Sequence, residues 1–325
     1  SPDERWDTLI QLMDKSDDKM RIIEDIKEIE RQRGVVDVLE IGCGGGAILA
    51  GILQHIRGIR RLAGTDYNGY LVSRVKGRFS DYPQVEFYVR DACHWYDRER
   101  FKAKFDVVIL GSVFHEIVSF YGMEKAEEVI RLCRYFLKAG GIIIVRDGLK
   151  PANGRVIFKA KTDFGRGQLV KFTRDFQQRK INAFHPLTKE RIKNLEAYFY
   201  EYGKGAEVEM SRADFYELLI KYIYTKSYSW KDEMEEGFGV VTEAQYRNIF
   251  SKYFKIIKFR TYKLPYLLNE RWIKDFEVTY GDYPDSHVYL IAKKSASSPA
   301  EGSRRITLPV TGAFADLIKR LRMQK

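Results

Sequence analysis

Val38-Leu39-Glu40-Ile41 runs straight into Gly42-Cys43-Gly44-Gly45-Gly46, and Ala47 opens a segment of helical character. A buried strand that enters glycines and then a helix brings bare backbone N–H groups against a ligand. Gly42, Gly44 and Gly46 permit that approach, because they carry no side chain and tolerate unusual backbone angles. Gly42-x-Gly44-x-x-Ala47 also satisfies the relaxed dinucleotide fingerprint, so the glycines alone leave the cofactor undecided. Three acids separate the alternatives. Glu40 stands directly before the glycines, where a carboxylate attracts a cationic amino-acid moiety and repels a pyrophosphate. Asp66 follows the second apolar run and can accept from both ribose hydroxyls; Asp91 follows the third, where an adenine amino group would lie. Each has a plainer reading: Asp66 as the cap of a turn, Asp91 as the cap of the next helix. Cys43 lies in the ligand loop but occupies a variable position, which suits packing more than nucleophilic chemistry.

A second group of residues points to the chemistry itself. Gly111-Ser112-Val113-Phe114-His115-Glu116 follows the fourth apolar run, and Arg146-Asp147-Gly148 follows the fifth. In an open parallel sheet the ligand crevice lies at the carboxyl ends of the strands, so both segments must line it. His115 is the candidate general base and Asp147 a candidate acceptor from an amine or hydroxyl. Arg146 can neutralise an acidic substrate group. An ordinary Arg–Asp pair, and a histidine bonded to backbone, are the structural alternatives.

The elements that must hold these residues can be read from periodicity. Val35–Ile41, Arg61–Thr65, Val85–Val89, Phe105–Leu110 and Gly141–Val145 read as five strands, with helices over Ala47–Ile56 and from about Glu124 to Leu137. Gly140-Gly141 is placed to close the latter as a C-cap. Lys255–Thr261 and His287–Ala292 are expected to add closing edge strands. Alternation of strand and helix predicts an α/β fold with a doubly wound, mostly parallel Rossmann-like sheet. N-terminal helices precede it, with apolar stripes at Trp6, Leu9, Ile10 and Met13 and at Ile22, Ile23, Ile26 and Ile29. Between Lys150 and Asn248 the rhythm breaks, through alternating segments (Val156–Lys161, Leu169–Phe172) and helix-like runs (Lys189–Tyr202, Arg212–Tyr224). That block is too long and apolar for a loop and reads as a largely helical inserted subdomain after strand five. The expected organisation is thus a cap over 1–33, a core over 34–149, an insert over 150–248, a return to the core over 249–294, and a linker with a basic helix over 295–325.

Taken together, Glu40-Ile-Gly42-Cys-Gly44-Gly-Gly46, Thr65-Asp66, Arg90-Asp91-Ala92, Phe105-Asp106-Val-Val-Ile-Leu110 and Leu137-Lys-Ala-Gly140-Gly141 resemble, in order, the class I S-adenosylmethionine-dependent methyltransferases. The resemblance covers about residues 35–145. It implies that Glu40, Gly42, Cys43, Gly44 and Gly46 hold the methionine end of S-adenosylmethionine, Asp66 and Tyr67 the ribose, and Asp91 and Ala92 the adenine, with Gly111 and Ser112 beside them. The product would be S-adenosylhomocysteine.

The acceptor is less legible. With 56 Lys and Arg against 45 Asp and Glu, the chain carries +11, which favours polyanionic partners. The excess concentrates late: 13 basic against 5 acidic residues over 148–205, and 8 against 2 over 246–275. Basic residues interleaved with aromatics in the insert, with Arg155, Lys159, Tyr228 and Trp230 as candidate substrate contacts, tip the expectation towards methylation of RNA on O or N. A small acidic metabolite under an aromatic lid is the alternative, and a catalytically silent assembly module a third. Tyr216, Tyr222, Tyr224, Tyr228 and Trp230 read rather as the insert's own core or a substrate lid. No metal site is expected from three scattered cysteines, Cys43, Cys93 and Cys133. No stretch approaches the roughly 18 apolar residues of a membrane span, so the expectation is a soluble, cytoplasmic protein. The basic C-terminal helix, with Phe314, Leu317, Ile318 and Leu321 as its stripe, is a candidate contact for a protein partner or further domain.

Overall fold

The structure, a computed structural model, describes residues 20–203, 205–225 and 227–295. The first expected N-terminal helix and the basic C-terminal helix lie outside them. The helix α1 (Met20–Arg33) is followed by β1 (Val36–Ile41), α2 (Ala47–His55), β2 (Ile59–Asp66), α3 (Gly69–Arg78), β3 (Val85–Val89), β4 (Phe105–Gly111), α4 (Phe114–Phe136) and β5 (Leu137–Gly148). The strands form a seven-stranded sheet in the order β3-β2-β1-β4-β5-β11-β9, where β9 is Phe254–Tyr262 and β11 is His287–Lys294. The first five are parallel; β11 is antiparallel to both β5 and β9. β11 is therefore an interior strand rather than an edge. Its antiparallel insertion also departs from the all-parallel 3-2-1-4-5-6 order of dinucleotide folds.

Period-two alternation sorts each central strand between two cores. Val36, Val38, Val107, Ile109, Ile142 and Ile144 pack with α1, α2 and α3 on one face. Leu39, Ile41, Val108, Leu110, Ile143 and Val145 pack on the other with α4 and with α9 (Glu243–Ser251). With both faces covered, β1 is buried along its whole length, Asp37 and Glu40 included, as an interior parallel strand is.

Two boundaries differ from expectation for local reasons. The helix expected from Glu124 begins ten residues earlier, at Phe114, and bends where Gly122 takes φ 81°. Gly140-Gly141 does not cap it. The helix closes at Leu137, which is already extended, and Gly140 (φ 67°) lies in a bulge of β5 where the register with β4 jumps between Phe105 and Val107.

The insert contains β6 (Arg155–Ala160), α5 (Asp163–Asp175), β7 (Ala183–Phe184), α6 (Leu195–Tyr202), β8 (Glu207–Ser211), α7 (Arg212–Lys221) and α8 (Ser227–Glu235). It is less helical than expected, because β10 (Phe276–Tyr280) returns to pair with β6 in a second sheet, β10-β6-β8-β7. Leu169–Phe172, expected to alternate as a strand, lies within α5. The subdomain has its own core around Phe158, Phe172, Phe215, Trp230, Trp272 and Phe276. No helix among the described residues is long and apolar enough to cross a membrane.

At the amino ends of β1 and β4 an ionic cluster ties the sheet together. Asp37 accepts from Arg60 Nε (3.0 Å) and Lys138 Nζ (2.5 Å), and Asp106 accepts from Arg33, from Lys138 Nζ (2.6 Å) and from the Asp37 amide (3.0 Å). Burial pushes the Asp37 carboxyl up, but the hydrogen bonds and charges of Arg60 and Lys138 outweigh it and hold it below its ordinary value. A carboxyl lowered on folding stabilises above its unfolded pKa, and that stabilisation is lost as pH falls through the folded one. Asp37→Asn is therefore expected to cost about 1–3 kcal/mol at neutral pH. In urea titrations the gap between variant and parent should close as pH drops below about 4.

Candidate functional site

The glycine loop folds back on the domain. Gly42 N and Cys43 N donate to Thr65 O (2.8 and 2.9 Å), Gly46 N to Cys43 O (2.8 Å), and Gly44 N to Asp66 Oδ2 (3.0 Å). Four amides expected to face a ligand are thus bonded within the domain, and the loop does not offer the row of free donors that a pyrophosphate needs. The glycines serve close packing instead. A Cβ on Gly42 (φ 73°) would stand 2.9 Å from Val113 Cβ, and one on Gly46 (φ 76°) 2.6 Å from Val75 Cγ2. Cys43 is buried in the core beneath the loop, and burial with the nearby Glu40 and Asp66 pushes its thiol pKa up.

Carboxylates stand at the carboxyl ends of the first three strands. Glu40 is buried at the end of β1, and a Cβ on Gly111 would lie 3.6 Å from its Oε1. Asp66 ends β2, holding Gly44 N through Oδ2 and Asn68 N through Oδ1 (2.9 Å); burial raises its pKa despite these bonds. Tyr67 beside it is exposed. Asp91 takes Cys93 N (2.8 Å) on Oδ1 and His94 Nδ1 (2.8 Å) on Oδ2, so it does close the local turn. Ser112 follows β4 in the left-handed region (φ 59°), with its amide on Arg146 O (2.8 Å) and its hydroxyl taking Arg146 Nη1 (2.6 Å).

Beyond this cleft lies a compact ionisable cluster. Asp147, buried at the end of β5, accepts from Phe114 N (2.6 Å) and His115 N (3.4 Å) on Oδ2. It thereby caps α4, where a carboxylate is favoured by the free amides and the helix dipole. Its Oδ1 takes His115 Nδ1 at 2.6 Å and Gly148 N at 2.6 Å. Burial disfavours the charged imidazole, but Asp147 outweighs it and lifts His115 to about 9. On the far side of the ring, Nε2 is 4.0 Å from Glu236 Oε1, and Phe238 lies with its centroid 4.3 Å away. Glu116 completes the group; burial, then the charge of Glu236, raises it to about 8, and Glu236 is raised by burial and Glu233. Glu116 also feels the charge of Asp66, which ties the cluster to the glycine-loop cleft.

Residues 39–143 match the family model described as a methyltransferase domain. Over those residues the chain carries a methyltransferase domain. The match spans about a third of the sequence and contains the glycine loop, the strand-end acids and His115. The chain is similar to several solved structures at low identity. They include the CurJ carbon methyltransferase (14% identity, 81% of this chain and 49% of that chain, TM-score 0.42). The N-methyltransferase NodS from Bradyrhizobium japonicum WM9, in complex with S-adenosyl-L-homocysteine, has 11% identity over 87% and 90% at TM-score 0.42. An S-adenosylmethionine-dependent methyltransferase from Mesorhizobium loti has 12% identity over 80% and 91% at TM-score 0.43. The methyltransferase spans about half the length of the CurJ chain. No curated protein sequence matches it. Likenesses this distant do not bear on the acceptor.

The methyltransferase brings His115, Asp147 and Arg146 to one end of its sheet, but not the substrate contacts expected in the insert. Arg155 bonds Glu209 Oε1 (2.7 Å) and Lys159 faces Glu207 (3.8 Å), both across the second sheet. Trp230 is in the insert core, its Nε1 on Asp175 Oδ2 (2.8 Å). Tyr228 falls within α8, and its side chain lies outside the described residues. Glu236 was not legible beforehand, since it follows Glu233-Met-Glu235 in what reads as a solvated acidic run. The signal was the Gly237-Phe238-Gly239 that follows it. That turn is anchored by buried Glu217, which accepts from Phe238 N (3.1 Å) and Gly239 N (2.7 Å), while Gly237 N donates to Ser119 Oγ (2.8 Å). It is wedged so tightly that a Cβ on Gly148 would stand 2.3 Å from Phe238 O. Gly148→Ala must therefore displace either β5 or this turn, at a cost of about 1–3 kcal/mol in chemical denaturation.

Proposed function

We propose that the methyltransferase acts on a small molecule bearing an ionisable O–H or N–H, bound in the space between the glycine-loop cleft and the His115 cluster. One observation carries this reading: the insert delivers Glu236 and Phe238 onto His115, so the cluster is roofed by the protein's own chain. A roofed site excludes water and suits an enclosed acceptor rather than an extended strand. Several of the basic residues behind the RNA expectation are paired within the insert. Arg155 and Lys189 pair with Glu209, Arg179 with Asp214, Arg174 with Asp175, and Arg166 with Asp163.

In this reading Glu40 attracts the ammonium of the cofactor's amino-acid end, while Asp66 and Asp91 accept from its ribose and adenine. When bound, the cofactor supplies an electrophilic sulfonium methyl group and departs as S-adenosylhomocysteine. The chain's own residues orient the acceptor in line with that methyl, and the carboxylate-rich cluster drains the proton the acceptor loses. Asp147 sets the imidazole plane, as a buried carboxylate does for a histidine that must keep one orientation.

Two measurements test the reading. Asp66→Ala should weaken S-adenosylmethionine binding by about ten-fold or more in calorimetry, the loss of a strong acceptor; unchanged affinity contradicts the ribose assignment. Incubation with methyl-labelled cofactor and either total RNA or a metabolite extract should put label only in the small-molecule pool. The rate should also change little between about 50 and 200 mM salt, where phosphate-binding proteins lose orders of magnitude. Nuclease-sensitive macromolecular label would overturn the small-acceptor reading.

A further inference from the structure

His115, Glu116 and Glu236 each turn one ligand atom to a common point, with all three atoms within 4.8 Å of one another. The imidazole is 4% exposed and its Nδ1 is committed to Asp147, so Nε2 is the atom facing the two carboxylates. Around Nε2 the nearby polar atom is Glu236 Oε1 at 4.0 Å, beyond hydrogen-bond reach. Neither the Glu116 nor the Glu236 carboxylate makes a hydrogen bond among the described residues, although both are largely withdrawn from solvent. Three carboxyl groups, of Asp147, Glu116 and Glu236, surround one imidazole, a donor set rich in oxygen.

We propose that His115 Nε2 and the carboxylates of Glu116 and Glu236 form a binding site for one divalent cation of the Mn2+ or Zn2+ class. The geometry fits on three counts. Nitrogen and oxygen bonds of roughly 2.0–2.2 Å put neighbouring ligand atoms about 3–3.5 Å apart, a side-chain adjustment away from the observed spacing. A histidine that ligates through one ring nitrogen almost always donates the other to a carboxylate, which is what Asp147 provides. One imidazole with two carboxylates is a set for borderline cations rather than for Mg2+, which prefers oxygen alone. Three protein ligands leave coordination positions open, and those positions adjoin the proposed acceptor space. A bound cation there would take acceptor oxygen atoms directly and lower the pKa of a coordinated hydroxyl. The site sits within the small-acceptor reading but does not need it, because the cation is detected without any acceptor.

The test uses the full chain stripped with a chelator and titrated with Mn2+, following the free-ion signal by electron paramagnetic resonance. One Mn2+ per chain should bind, Zn2+ should displace it, and Glu116→Gln and Glu236→Gln should each weaken binding by about ten-fold or more. Pulsed resonance on the Mn2+ complex of the unsubstituted chain should show coupling to one imidazole nitrogen, a readout that needs no variant to fold. Mn2+ left free at millimolar concentration, binding unaltered by both substitutions in folded variants, or a bound ion without nitrogen coupling overturns the site. Transfer of label to RNA would instead overturn the small-acceptor reading and leave cation binding standing.

Discussion

The carboxylate of Asp147 lies wholly inside the protein and is surrounded by donors: the amides of Phe114, His115 and Gly148 and the Nδ1 of His115. An ionised group in such a place is tolerable only with bonds of this kind, and the rest of the site follows from satisfying it. Because Asp147 ends β5, the start of α4 must come to the end of that strand. Because the same carboxylate holds His115, the imidazole is fixed at the crevice where ligands of an open α/β sheet collect. The link joins two elements 33 positions apart in sequence through one side chain.

A second constraint orders the carboxyl edge of the sheet. Glu40, Asp66 and Asp91 stand at or just past the ends of β1, β2 and β3, and Asp147 stands near the end of β5 beside His115 on the first turn of α4. The insert then closes over His115 with a turn that has little freedom. Glu217 holds its amides, Gly148 has no room for a side chain beneath it, and Lys221 lies 3.3 Å from Glu233 just upstream. Carboxyl groups are therefore concentrated in a protected space. Carboxylates packed together out of water raise one another's pKa, and Glu116 and Glu236 both move in that direction. Such a site is poised to take up positive charge, whether as a proton or as a cation.

The strands of the core were legible because strand periodicity and glycine punctuation are local. β3 has the expected bounds, and β1, β2 and β4 differ only at their ends. Where a boundary depends on distant partners, local reading fails. The start of α4 is capped by a carboxylate from β5 rather than by a preceding Ser, Thr, Asp or Asn, so Phe114 carries no signal of it. Leu169–Phe172 alternates in sequence yet lies in a helix, because Thr162 caps α5 and the apolar stripe faces the insert core. β10 was invisible as part of the insert, since it pairs with β6 more than a hundred residues earlier.

The amino-acid sequence by itself determined the layout of the first three strand ends: a strand, a glycine turn and acids at successive strand ends follow one another along the chain, so their order is their geometry. It also placed His115 and Asp147 at the crevice, because strand ends in a parallel sheet must lie there. Tertiary structure alone decided what the glycines do. Their amides turn inward to Thr65, Cys43 and Asp66, a choice set by packing against Val113 and Val75. It alone decided, too, that Glu236 meets His115, since that encounter depends on a buried Glu217 holding a turn across the roof of the site. Charge in the insert looked like a surface for polyanions when counted along the chain. Folded, Arg155, Lys159 and Lys189 pair with Glu207 and Glu209, partners that only the second sheet brings within reach.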